Sequence, residues 1–244
     1  MKSKNLFIII FLSFALQCWI LYPILMENYP DFPTGLNYLL GVPPVIYYQM
    51  LMFWYITFAS ISFYYSGSFK EALSGFGQYL LVRSSNRVQW ILLQYFIVGV
   101  KLLVILILQT GVSYLLVFFF QLNIDLIINT LLLKAILIYY LTFLFLLISQ
   151  LFLELYFNPQ IGFLIINTYV VGSILGASLL FKYKIHGVLI YLLVPNYAMI
   201  SRLDLLSKNS LVINFVPALT IIISLILIVL IFSITSIKRI DFLH

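Results

Sequence analysis

Charge is what this sequence has least of. Of its 244 residues, 8% are Asp, Glu, Lys or Arg and 64% are hydrophobic. Soluble domains carry about 25% charged residues. The surface of a folded chain grows with its size and has to be covered by polar groups, and this chain does not have them. A soluble fold is excluded, which leaves lipid as the solvent. In lipid every backbone N–H and C=O needs an internal partner, so the choice is a helix bundle or a closed barrel. Barrel strands alternate polar and apolar residues over about ten positions. That alternation is missing here, and the apolar runs are continuous. The chain reads as an all-α polytopic membrane protein, a single transmembrane domain over residues 1–244.

Reactive groups are equally scarce. A single cysteine, Cys18, excludes an internal disulfide. The two histidines are His186, in a polar stretch, and His244, at the end. There is no H-E-x-x-H metal motif, no G-x-x-x-x-G-K-[ST] phosphate loop and no Gly-x-Ser-Gly. No His, Cys, Asp or Glu cluster has metal-ligand spacing. These absences predict a non-catalytic chain with no cofactor of its own. A cleaved leader is not expected either. The first apolar run continues past Cys18 to Met26, too long for a signal-peptide core. Gln17 also stands where a lipoprotein signal would have a small residue.

Acidic residues are the scarcer sign, 7 against 13 basic, for a net charge of +6. No basic helix face or interleaving of basic and aromatic residues accompanies that excess. Nucleic acid is therefore not an expected partner, and the positive-inside rule accounts for the charge.

What the sequence does have is long apolar runs of the roughly 20 residues that a membrane crossing needs. They predict six spans, at about 6–26, 45–65, 88–120, 131–157, 161–181 and 211–237. Pro159 disfavours helix at Asn158 and marks the tight turn between the fourth and fifth. "VLIYLLV" at 188–194 is too short to cross before Pro195. Residues 188–210 therefore read as a re-entrant or interfacial helical hairpin, with protein or a water cavity around any irregular backbone. Six spans place both termini on one side. With cytoplasmic termini, Lys2, Lys4, Lys70, Arg83, Arg87, Lys238 and Arg239 lie inside, and the smaller set Lys182, Lys184, Arg202 and Lys208 lies outside, as the rule requires. Aromatics make up 18% of the chain. Tyr47, Tyr48, Trp54, Tyr64 and Tyr65 bracket the second span as an interfacial belt would.

Four features stand out from this background. The first is the polar insertion "GFGQYLLVRSSNRVQW" at 75–90, inside a cytoplasmic elbow over 68–87. Its arginines satisfy the positive-inside rule as a solvated loop would. The apolar knob Tyr79 to Val82 beside them fits a docking element for a cytoplasmic partner. The second is Lys101, roughly 20 Å along the third span, where a charge costs about 2.5–3.5 kcal/mol. It either serves a translocation pathway or bonds to Gln94, Gln109 or a neighbouring span. Lys134 is expected to snorkel outward, and Glu154 to sit at the cytoplasmic end of the fourth span. The third is "GSILGAS" at 172–178, where Gly172 and Gly176, with Ser173 and Ala177 on the next row, form small-residue pairs that let helices approach. The fourth is the pair Tyr139 and Tyr140, deep in a span, where packing is the expected role.

The layout resembles the membrane subunit of a type-2 ABC exporter, the small bacterial permeases associated with antimicrobial-peptide export and immunity. "GQYLLVRSSNRVQWILLQ" at 77–94 is similar to the segment before their third span. "YLLVPNYAMISR" at 191–202 resembles the hairpin region after their fifth. The resemblance implies a permease dimer of like or similar chains in the bacterial cell membrane, with a separate ATPase subunit, carrying ATP and Mg, docked beneath each. It makes the elbow a coupling helix, with Tyr79, Leu80, Leu81 and Arg83 at the ATPase contact and Arg87 at its exit. The cargo it implies is an amphipathic peptide or a lipid. Many members carry an amphipathic helix before the first span, whereas here "MKSKN" precedes Leu6. The competing readings are the substrate-binding component of an energy-coupling importer and an immunity membrane protein without a pump.

Overall fold

Uninterrupted runs of Leu, Ile, Val and Phe form long helices, and Pro, Gly and Asn stand at their ends. The computed structural model describes residues 8, 10–17, 19, 34–43, 48–73, 87–119, 130–183, 188–205 and 213–239. In chain order the elements are α1 (helical over 10–17), a 3-10 turn Thr34–Leu39, α2 (Tyr48–Tyr65), α3 (Ser68–Leu73), α4 (Arg87–Phe119), α5 (Thr130–Glu154) and α6 (Pro159–Lys182). Three 3-10 turns follow at Val188–Leu192, Val194–Ala198 and Ile200–Arg202, and then α7 (Phe215–Arg239). Pro159 occupies the first turn of α6, where its missing N–H costs nothing.

Among the described residues four helices, α4 to α7, are long and apolar enough to cross a membrane. Their bounds fall within a few residues of the expected spans. Helix α2 has the length, at 18 residues, but its tyrosines, tryptophan and glutamine dilute its hydropathy. The expected first span over 6–26 is helical where it is described, and the rest of it lies outside the described residues. The exteriors of the long helices are apolar. Phe96 is 68% exposed, Ile107 68%, Leu164 64% and Ile231 60%. Soluble monomers do not expose such patches on every side, so the protein is membrane-embedded.

Helix α5 is the hub, packing on α2, α4, α6 and α7. Its Phe143 meets Trp54 and Phe58 of α2 edge-on, with ring centres 5.9 and 5.5 Å apart, and stacks on Tyr139. This corrects the belt reading of α2. Trp54 and Tyr65 are buried in the core. Trp54 and Phe58 face α5, Phe63 meets Phe163 of α6, and Tyr47 and the Tyr48 side chain lie outside the described residues. Polar side chains tie the same helices together. Ser62 Oγ donates to Gln150 Oε1 at 2.6 Å, Gln150 Nε2 returns a bond to the Ser62 carbonyl at 3.0 Å, and Asn167 Nδ2 reaches Ser62 Oγ at 3.0 Å. Nearer the other end, Gln17 Oε1 accepts from Thr57 at 2.9 Å and from Gln109 at 3.2 Å, and Tyr139 donates to Gln109.

The helix directions give the bundle two unlike ends. One gathers the end of α2, α3, the start of α4, the end of α5, the start of α6 and the end of α7, and with them Lys70, Arg87, Lys238 and Arg239. The far end is covered by residues 34–43 and by the 3-10 turns. The segment expected as a hairpin over 188–210 is, over its described part, a succession of 3-10 turns. Pro195 sits in the first positions of the second turn, the breaks fall at Leu193 and Met199, and Leu203 and Ile213 close the segment with a parallel β-bridge.

Candidate functional site

The basic end holds the described part of the elbow. Helix α2 stops at Ser66 and Gly67, and Gly67 has a φ of +84°, a left-handed turn that suits glycine. The chain then enters α3. The Gly67 N–H at that entry donates to Glu154 Oε1 at 3.0 Å. A carboxylate at a helix start satisfies an N–H that has no partner within the helix and complements the dipole. Glu154, the last residue of α5, is thus the anchor of α3. On the opposite side Phe69 of α3 is buried against Trp90 and Tyr95 of α4, at ring-centre distances of 5.8 and 5.5 Å. Tyr95 in turn shares a 2.7 Å hydrogen bond with Ser233 of α7. The start of the elbow is therefore joined to α4, α5 and, through Tyr95, α7. Arg87 is the first residue of α4 and is half-buried. Tyr79, Leu80, Leu81 and Arg83 lie outside the described residues. Sequence reasoning placed Glu154 at the end of the fourth span, where the helix ends, but missed its bond to Gly67. The signal available was a lone acid ending an apolar run opposite a Ser-Gly turn.

Lys101 does not face the bundle interior. It lies on the outward face of α4, and Gln109, one of its expected partners, is engaged by Gln17 and Tyr139. Lys134 is exposed, with Nζ 5.8 Å from the centre of the Phe215 ring. Tyr139 and Tyr140 pack, and Tyr140 donates to the Gly99 carbonyl. The small-residue motif divides by row. Ser173 and Ala177 are buried, while no atom comes within 4 Å of a Cβ built on Gly172, and Gly176 meets only Leu193 at 3.8 Å.

The far end contains the group that sequence reasoning misjudged most. Arg202, expected as an outer-surface cation, is 1% exposed. Its guanidinium donates to five neutral acceptors. Nε reaches the Val42 carbonyl at 2.9 Å, Nη1 the Ile174 carbonyl at 3.2 Å and Asn196 Oδ1, and Nη2 the Pro43 carbonyl at 3.3 Å and Ser178 Oγ at 2.8 Å. Every N–H of the planar fork is satisfied. Phe181 lies 5.8 Å beneath it. Burial pushes its pKa down to about 9, so it stays a cation at neutral pH. It clamps residues 42–43 to α6 and the 3-10 turns. Gly41 allows the approach: its φ is +68°, and a Cβ there would stand 2.5 Å from Met199 Cγ. Asp204, two residues on, accepts from the Phe215 N–H at 3.0 Å and caps α7.

Among the described residues no group of His, Cys, Asp and Glu could hold a metal. A lipid-facing helix bundle, one end basic and jointed, the other clamped by a buried arginine, defines a helical integral membrane protein. The chain belongs to the family described as "Protein of unknown function (DUF2705)", whose model matches residues 6–243. It is similar to the "Uncharacterized protein YybK" of Bacillus subtilis (strain 168), 35% identical over 201 residues that cover 80% of each chain. No solved structure matches it.

Proposed function

We propose that this protein is the permease subunit of an ATP-driven exporter, non-catalytic itself, and that it spans the bacterial cell membrane six times with both termini in the cytoplasm. A separate ATP-binding-cassette ATPase, holding ATP and Mg, docks on the elbow over 68–87 through Tyr79, Leu80, Leu81 and Arg83. A second permease subunit completes the translocation path, and the cargo is an amphipathic peptide or a lipid. The observation that carries this reading is the junction at Gly67. A docking segment can drive the spans only if it is fastened to them. The Glu154 bond and the Phe69 contact with Trp90 and Tyr95 fasten α3 to α4 and α5. The cations gathered at that end support its cytoplasmic side.

The test is affinity purification of the full chain from native membranes in mild detergent, with partners identified by mass spectrometry. The wild type should carry an ATP-binding-cassette ATPase. Leu80→Glu combined with Arg83→Glu should lower its recovery at least tenfold. An equal recovery with the double variant contradicts the docking assignment, and the absence of any such ATPase contradicts the exporter reading.

A further inference from the structure

Among the described residues the amine of Lys101 has no partner. Helix α4 has 33 residues, about 50 Å at 1.5 Å per residue, and Lys101 stands about 21 Å along it. Neighbouring helices fix its depth. Tyr140 and Tyr139, near the middle of α5, bond to Gly99 and Gln109, which bracket Lys101 along α4. Tyr95, nearer the basic end, is level with Ser233, near the last turns of α7. Lys101 is thus at mid-height of the bundle; a 30 Å hydrocarbon layer centred on the bundle would put it roughly 15 Å from either edge. That is too deep for a side chain of about 6 Å to snorkel out, as Lys and Arg do near helix ends.

The side chain is exposed, and beside it Val100, Val104 and Ile107 are 44%, 50% and 68% exposed. Among the described residues Lys101 forms no hydrogen bond or ion pair, and no aromatic ring lies beneath its amine. A cation in this position faces hydrocarbon unless another protein covers it. Ionisable groups within a membrane are held by partners of opposite charge or by polar cavities. Among the described residues a second copy offers no acid at this level, and Glu27, Asp31, Asp125 and Asp241 stand in the sequence outside the expected spans. Among the described residues Glu71 lies on α3, Glu154 ends α5, and Asp204 caps α7 at the far end.

We infer that the Lys101 face of α4 docks against a transmembrane helix of a different membrane protein, one that carries an aspartate or glutamate near the middle of its span. This deepens the second-subunit part of the function proposed above and makes that subunit an unlike chain. It does not draw on the ATPase part.

A photo-cross-linking residue at Val104 of the full-length chain, irradiated in native membranes, tests the pairing. The expected product joins this chain to one membrane protein with an acidic residue at mid-span. Lys101→Glu should lower its yield at least tenfold, and Lys101→Arg should keep it within twofold. Reversing the partner's acid to lysine should restore the yield with Lys101→Glu. If Lys101→Glu fails to accumulate, Lys101→Met reads the same effect. An unchanged yield in these variants overturns the inference. So does a product formed with a second copy, within the chain or with lipid alone, or a partner without a mid-span acid. Labelling of Lys101→Cys by a membrane-impermeant thiol reagent, with Cys18→Ser in the background, would show an aqueous surface and also overturn it. The same purified sample is assayed for the ATPase, whose presence or absence bears only on the exporter reading.

Discussion

Arg202 shows how one side chain can organise an end of the bundle. Its charge is buried, and the cost of taking it out of water is offset by five bonds to carbonyl, amide and hydroxyl oxygens. Lysine could not replace it, because a single ammonium cannot reach acceptors set around a planar fork. Arg202→Ala takes the donor from the Pro43 carbonyl and from Asn196 Oδ1, at about 1–3 kcal/mol each, while Val42 and Ile174 keep bonds from Ser201 and Ser178. The thermal unfolding temperature of the detergent-solubilised chain should fall sharply, and Arg202→Lys should recover little of the loss. Gly41→Ala should also destabilise, by about 1–3 kcal/mol, because its backbone is left-handed and Met199 fills the space beside it. In the sequence Arg202 looked like one more loop cation. Nothing in "MISRLD" announces burial, since its acceptors are backbone carbonyls brought from residues 42, 43 and 174 and the side chains of Ser178 and Asn196.

At the scale of elements, helices were legible where their composition was uniform. Residues 88–120, 131–157 and 161–181 are apolar enough to specify spans, and the structure returns them within a few positions. Partnering was less legible, because an apolar run shows no periodic stripe when one of its faces meets lipid and the other meets protein. That is why Trp54 and Tyr65 looked like interfacial residues and lie instead in the core. The polar ties between helices were hidden for the same reason. Ser62, Gln150 and Asn167 are far apart in sequence and meet only in the fold. Gln150→Leu should cost about 1–2 kcal/mol by leaving the Ser62 hydroxyl without its acceptor. Combined with Ser62→Ala the loss should be less than additive, as for any pair in direct contact. Helix α3 offers a second test. Glu154→Ala removes the acceptor at Gly67 N–H, so amide exchange across 67–71 should quicken several-fold, consistent with a lost cap of ~1 kcal/mol. Glu154→Gln, which keeps an acceptor oxygen, should exchange close to the wild type.

At the scale of the whole molecule, composition alone decided the solvent, because a chain with so few charges cannot face water. The distribution of those charges marks the two ends. Among the described residues four helices are long and apolar enough to cross, and the six-span topology rests on the sequence of α1 and α2. The elbow 75–90 drew attention in the sequence as a polar anomaly. The fold adds that its approach, α3, is fastened to the bundle by Glu154 and Phe69. In the function proposed above, a docking segment tied in this way would transmit force to the spans, whereas a free loop would not.

The most direct measurement of that claim is site-specific cross-linking at the elbow in native membranes. A photo-reactive residue at Leu81 should yield a product with an ATP-binding-cassette ATPase. The same residue at Tyr183, beyond the far end of α6, should not. If Leu81 captures no ATPase, or if both positions capture it equally, the elbow is not the coupling element and the exporter account fails.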